Sequence, residues 1–287
     1  RHDVESRGLG DVYKRQSWNR TKSSISTDNW FVVHMSDKAK KIVLNIMFPV
    51  IVAAAVLLIW AVAAAAIGAS LILPTPAAAV REFFAYFADA DFWRAVGNTM
   101  WRSLYSFLIS FILAFVFAVL AERFSVAKKL INPFVSFIRS VPTMSVILIL
   151  IICLDSARAP AVVAIIVIFP TLYSSFSAAI GEVDSKLVEM SKVYKVGAKD
   201  RLLQLYIPNM AAGLFEGAAS GFSLNIKLVI AAEALAATAR SIGNMMNFSK
   251  ALLETEKLFA LTIAAVILSV ACEWLIRLIG RAVIRWK

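Results

Sequence analysis

Few residues in this chain are of types that do chemistry, and the most conspicuous is a lysine. Lys227 stands well inside the apolar run Gly213–Leu235. A charged group at the centre of a membrane span costs ~2.5–3.5 kcal/mol on insertion scales. Lys227 is therefore expected to face a cavity, an axis between two copies, or a carboxylate. There it could hold an anion such as a sulfonate or carboxylate, though a structural ion pair or a side chain reaching the water layer would satisfy it equally. Glu233 lies six residues on and about 120° around a helix, so the two are not i, i+4 partners. With Asn225 in the same run and Pro142 in an earlier one, they form the candidate lining of a substrate pathway.

Catalysis has less to draw on. The histidines are His2 and His34, and the rest of the chain has none, which argues against imidazole chemistry and a His-ligated metal. No clustered carboxylates suggest an acid–base pair. Cys153 and Cys272 both lie in apolar runs and read as packing residues. No G-x-x-x-x-G-K-[ST] is present, so any ATP and Mg²⁺ must be bound by another chain. No catalytic residue, metal site or cofactor is expected here.

The elements around these residues are membrane spans. The 287 residues are 60% hydrophobic and 17% charged, with mean hydropathy +0.75, against about half and a quarter in soluble domains. A net charge of +11 invites a nucleic-acid reading, but the Lys and Arg are dispersed between apolar runs, as membrane topology requires. No nucleic-acid partner is expected. Residues 1–34 differ in pattern from the chain after Met35 and are set aside as upstream sequence or a disordered leader, leaving 35–287 as a single domain.

Six spans are read: Ile46–Leu73, stopped by Pro74 and Pro76; Ser103–Ala121; Phe134–Leu154; Pro160–Ile180; Gly213–Leu235; and Leu258–Ile279. Ala77–Val96 reads as an amphipathic aromatic helix lying at the interface. Pro142 and Pro170 are expected to kink their spans, and Arg139 to anchor one at the interface. Alternate loops carry Lys38, Lys40, Lys41, Arg123, Lys128, Lys129, the five cations of 184–208, and Arg277, Arg281, Arg285 and Lys287. The opposite side carries Arg81, Arg94, Arg102, Arg158, Arg240, Lys250 and Lys257. This bias puts both termini and the 184–208 segment in the cytoplasm. No internal repeat stands out, which weakens an inverted-repeat carrier.

Asp184–Pro208 is the longest polar interruption between the apolar runs. It reads as two short amphipathic helices, the first capped by Asp184 with Leu187, Met190 and Tyr194 on one face. The second carries Leu202, Leu205 and Tyr206 and is stopped by Pro208. Glu189 and Pro208 lie 19 residues apart, with Ser191 and Ile207 between them. This pattern resembles the coupling motif EAA-x3-G-x9-I-x-L-P of binding-protein-dependent ABC importer permeases. Met190 replaces the first Ala, and Lys195 stands at the Gly position. Because Gly supplies positive φ cheaply and Lys does not, the turn is expected at Gly197. The segments LPTP, MWRSL, IRSVP and GEVD resemble the nitrate/sulfonate/taurine-type branch of that family.

The resemblance implies an all-α polytopic membrane protein with six spans and a cytoplasmic coupling hairpin between the fourth and fifth. It implies a bacterial inner-membrane location, a second permease copy, a cytoplasmic ABC ATPase dimer and an extracytoplasmic solute-binding protein. Glu189, Ser191, Lys195, Gly197, Ile207 and Pro208 would then be the ATPase-coupling residues. A secondary carrier or channel, whose hairpin is only a loop, is the alternative.

Overall fold

A computed structural model describes residues 37–284, and every regular element in it is helical. The leader assigned to residues 1–34 lies outside the described residues, as do Arg285 and Lys287. The elements are α1 (Asp37–Ile67), α2 (Pro76–Ala85), a 3₁₀ turn (Tyr86–Ala88), α3 (Ala90–Arg123), α4 (Ser125–Ser140) and α5 (Thr143–Cys153). Then come α6 (Ala159–Gly181), α7 (Ser185–Val193), one helical turn (Ala198–Asp200), a π-helical turn (Arg201–Tyr206), α8 (Ile207–Ala236), α9 (Ile242–Ala251) and α10 (Thr255–Val283). Among the described residues, five helical stretches are long and apolar enough to cross a membrane, or six if α4 and α5 form one broken span.

The chain divides into two units after Val56. In the second, α3, α6 and α8 enclose the core, where Phe107, Ile168, Leu172, Phe176, Phe222 and Ile226 are buried. Phe107 meets Phe222 edge-on at 5.0 Å, and Phe111 meets Phe176 at 4.9 Å. Lipid offers apolar side chains no less than a protein core does, so helices in a membrane associate by close packing rather than by escape from water. A stripe of glycines supplies that closeness. A Cβ at Gly213, Gly217 or Gly221 of α8 would come within 2.7, 2.9 or 2.6 Å of Ala179, Ser175 or Leu172 of α6. The four-residue spacing keeps the stripe on one face, and α8 lies against α6 along it.

Several predicted boundaries are corrected. The first span ends at Ile67 rather than Leu73, because Gly68 turns to φ 65° before the prolines are reached. Pro76 instead opens α2, capped by the Thr75 side chain, which accepts from the Ala78 amide at 3.2 Å. The single amphipathic helix expected over Ala77–Val96 is broken at the 3₁₀ turn. Asp89 caps a new helix there, accepting from the Asp91 amide at 2.9 Å. The second span therefore begins at Ala90, not Ser103, and runs 34 residues. The aromatic run folds on itself at this break: Phe83, Phe87, Phe92 and Trp93 stack edge-on, and Phe92 is buried with Leu261 of α10.

The third span, expected as one kinked helix over Phe134–Leu154, is two helices meeting at 90°. Val141 is extended, as the residue before a proline must be, and Pro142 caps α5. Pro170 does lie within α6, and Arg139 bonds the Pro170 carbonyl at 3.0 Å and Ser174 Oγ at 2.6 Å. Cys272 packs against the core, whereas Cys153, at the end of α5, is exposed rather than packed. Helix α9, between the last two spans, has no counterpart in the sequence reading.

Candidate functional site

The hairpin begins as expected. Asp184 precedes α7 and accepts from the Lys186 amide at 2.8 Å. Glu189, Met190 and Val193 of α7 and Tyr194 just after it are exposed, whereas Ser191 is 7% exposed and its hydroxyl donates to the Val188 carbonyl at 2.6 Å. The turn corrects the sequence reading. Lys195, at the position the motif gives to glycine, itself takes φ 53°, while Gly197 does not enter the left-handed region. The turn thus stays in register with the motif and is not shifted to Gly197. The Val196 amide closes it on the Ser191 carbonyl at 2.9 Å, and Arg201 donates to the Val196 carbonyl at 3.1 Å.

The second half of the hairpin also differs. Pro208, expected to stop a short helix, lies instead in the first turn of α8. Its ring clashes with the carbonyl four residues back, so the preceding turn widens to π-helical over Arg201–Tyr206 instead of ending. Helical backbone consequently runs from Ala198 to Ala236 with no loop. Tyr206 packs on the core, and Ile207 lines an apolar groove between α3, α8 and α10. The second half of the hairpin and the fifth span form one rod.

At the far end of that rod Glu233 is fully buried. Arg102 of α3 donates to it, Thr99 Oγ1 donates at 2.9 Å and the Gly243 amide at 3.4 Å. The Thr99 hydroxyl in turn accepts from the Ile242 amide at 3.1 Å. One carboxylate thereby ties α3, α8 and the start of α9 together. Glu233, expected as pathway lining, spends its acceptors inside the fold. Asn225 is likewise fully buried, its amide donating to the Ser103 carbonyl at 2.8 Å and to Ser106 Oγ at 3.2 Å.

Lys227 faces outward into a cleft of about 440 Å³ between α8, α9 and α10, which Lys250, Asn247 and Thr262 also line. Pro142 stands at the α4–α5 bend, remote in sequence from these residues and not among the lining of that cleft. The structure thus groups Glu189, Ser191, Lys195, Gly197, Ile207 and Pro208 at the base of one rod. It separates Lys227 from Glu233 and Asn225.

Sequence reasoning missed Arg102 and Thr99. By position Arg102 is one more flanking charge, yet the chain holds a signal: an Arg in one long apolar helix and a Glu in another need each other in a low-dielectric setting. It also missed the glycine stripe, whose four-residue spacing is plain in the sequence.

Comparisons with known proteins bear on this arrangement. The putative aliphatic sulfonates transport permease protein SsuC of Bacillus subtilis (strain 168) is 21% identical over 237 residues, covering 82% of this chain and 85% of that protein. Among solved structures, the MetNI methionine ABC transporter in inward-facing conformations aligns with TM-score 0.58 at 16% identity, over 68% of this chain and 97% of the matched one. An amino acid ABC transporter crystallised with histidines aligns with TM-score 0.58 at 10% identity, over 69% and 96%. The fold is thus that of type I ABC importer permeases. Residues 111–285, more than half of the chain, match the family described as "Binding-protein-dependent transport system inner membrane component", and the protein belongs to that family of transport permeases.

Proposed function

We propose that this permease works as a homodimer driven by a separate cytoplasmic ATPase pair, which binds ATP and Mg²⁺ and seats the Asp184–Pro208 hairpin in a cleft. One observation carries this reading. Met190 and Val193 of α7 and Tyr194 just after it are 52%, 79% and 76% exposed, beside the exposed Glu189. Such a patch outside the apolar spans is costly unless a partner covers it. Because helical backbone continues from Ala198 to Ala236, a displacement of the hairpin is carried along α8 to the Arg102–Glu233 cluster. ATP-driven closure of the partner would then bias two arrangements of the helices, open to one side or the other.

In this reading both termini and the hairpin are cytoplasmic, and an extracytoplasmic binding protein delivers the solute to the other face. The solute is a small anion of sulfonate-like chemistry. Support comes from the sulfonate permease relative and from Lys227 and Lys250 in one cleft. Co-purification is the test. Glu189→Arg is expected to leave the permease folded while the ATPase no longer co-purifies and uptake stops. Unchanged co-purification and uptake would remove the hairpin from coupling.

A further inference from the structure

At the end of the bundle away from the hairpin, Arg240 projects into a cavity of about 570 Å³. Its backbone is held in an unusual state. Both Arg240 (φ 51°) and Ala237 (φ 48°) are left-handed, a conformation that residues with a Cβ adopt only at a cost. Four bonds fix the turn they form. Thr238 Oγ1 donates to the Ser156 carbonyl at 2.6 Å, and Ser241 Oγ to the Thr238 carbonyl at 2.7 Å. The Asn98 amide donates to the Arg240 carbonyl at 3.0 Å, and the Ile242 amide donates to Thr99 Oγ1 at 3.1 Å. The ties hold the backbone from which the exposed Arg240 side chain reaches the cavity, and such outliers concentrate at functional sites.

The charges around the cavity leave that guanidinium uncommitted. Asp91 is taken by Arg94 at 2.9 Å and Glu254 by Lys257 at 2.9 Å, and all four line the cavity. Among the described residues Arg240 forms no ion pair. Asn244 adds a neutral donor to the lining, while Met245, Phe248 and Leu252 supply an apolar wall. A planar five-donor fork suits sulfonate or carboxylate oxygens, and the wall suits an attached carbon chain rather than water.

We propose that this cavity binds a small organic oxyanion, its head on Arg240 and its carbon tail against Phe248 and Leu252. The site deepens the reading of the solute as a small anion, and rests on it. It is a second station, distinct from the Lys227 cleft, at the face opposite the hairpin.

The test uses the whole permease in lipid nanodiscs and 3,3,3-trifluoropropane-1-sulfonate, followed by fluorine NMR line broadening. Wild type is expected to broaden the signal, and Arg240→Gly to weaken binding at least tenfold. Glycine takes the left-handed φ freely, so that variant keeps the turn, which an unchanged or raised unfolding temperature verifies. Arg240→Lys, with charge but no fork, is expected between the two. Equal broadening by wild type and Arg240→Gly, or none by either, overturns the site. Sulfate competing as well as the fluorinated sulfonate would overturn recognition of the tail. No ATPase enters this measurement. If the sulfonate fails to bind while Glu189→Arg still detaches the ATPase, the site falls and the coupling reading stands.

Discussion

Arg102 of α3 donates to the buried carboxylate of Glu233 on α8, joining residues 131 positions apart in the sequence. Thr99 and the Gly243 amide complete the carboxylate's partners, so α9 is pinned by the same group that holds α3 to α8. Removing one member of a buried pair strands the other, at a cost of about 3–5 kcal/mol, whereas replacing both by apolar residues is often nearly neutral. Arg102→Leu is therefore expected to lower the thermal unfolding temperature in detergent sharply. Arg102→Leu combined with Glu233→Leu should recover a large part of the loss, since only Thr99 and Gly243 are then left without their acceptor. A double variant as unstable as the single one would show that the pair itself is not what holds the helices.

Gly243 sits where a side chain has no room. A Cβ there would come within 2.4 Å of the Ile230 carbonyl oxygen and 2.5 Å of the Ala234 amide nitrogen, both backbone atoms of α8 that cannot swing aside. Gly243→Ala should therefore cost at least the roughly 1–3 kcal/mol typical of overpacking. Gly97→Ala, with nothing within 4 Å of its added Cβ, serves as the control and should be tolerated. Comparing their unfolding temperatures checks the contact between α9 and α8.

The hairpin turn makes the opposite forecast. Lys195 carries φ 53°, which costs a residue with a Cβ about 1–2 kcal/mol relative to glycine. Lys195→Gly should slow hydrogen exchange in the hairpin, and Lys195→Val should speed it. Gly197→Ala should change little, because its Cβ would meet only Asp200 Oδ2 at 3.5 Å, an ordinary contact. Protection that rose on substituting Gly197 but not Lys195 would place the strain at the wrong residue.

What was legible in the sequence was local. The apolar runs gave the spans because lipid demands them in one continuous stretch, and the Glu189–Pro208 spacing marked the hairpin because its parts are close in sequence. Pro142 and Pro208 show where this ends. The same residue type broke one helix by 90° and was absorbed by a widened turn in the other. The outcome at each depends on the packing of neighbouring helices, which no local pattern contains. Glu233 was visible as a charge inside an apolar run, and Arg102 as a flanking cation beside one. Their pairing was not, because it depends on how far α3 and α8 slide past each other.

Among the described residues Lys227 is the one charge of α8 that forms no ion pair; Lys250, Asn247 and Thr262 line its cleft, and Glu273 of α10, paired with Arg277, lies within electrostatic range of it. Two ammonium groups lining one cleft repel each other, and an anion between them would relieve that repulsion. Lys227→Met keeps the length and apolar stem of the side chain while deleting the charge. It is expected to leave the glycine-stripe packing and the ATPase co-purification intact, since Lys227 is on the exposed side of α8. Uptake of a sulfonate should fall at least tenfold, with Lys227→Arg restoring most of it. Were Lys227→Met to transport normally, the lysine would be serving the lipid headgroups rather than the solute. Were Lys250→Met alone to abolish uptake, the anion would be held nearer α9 than α8.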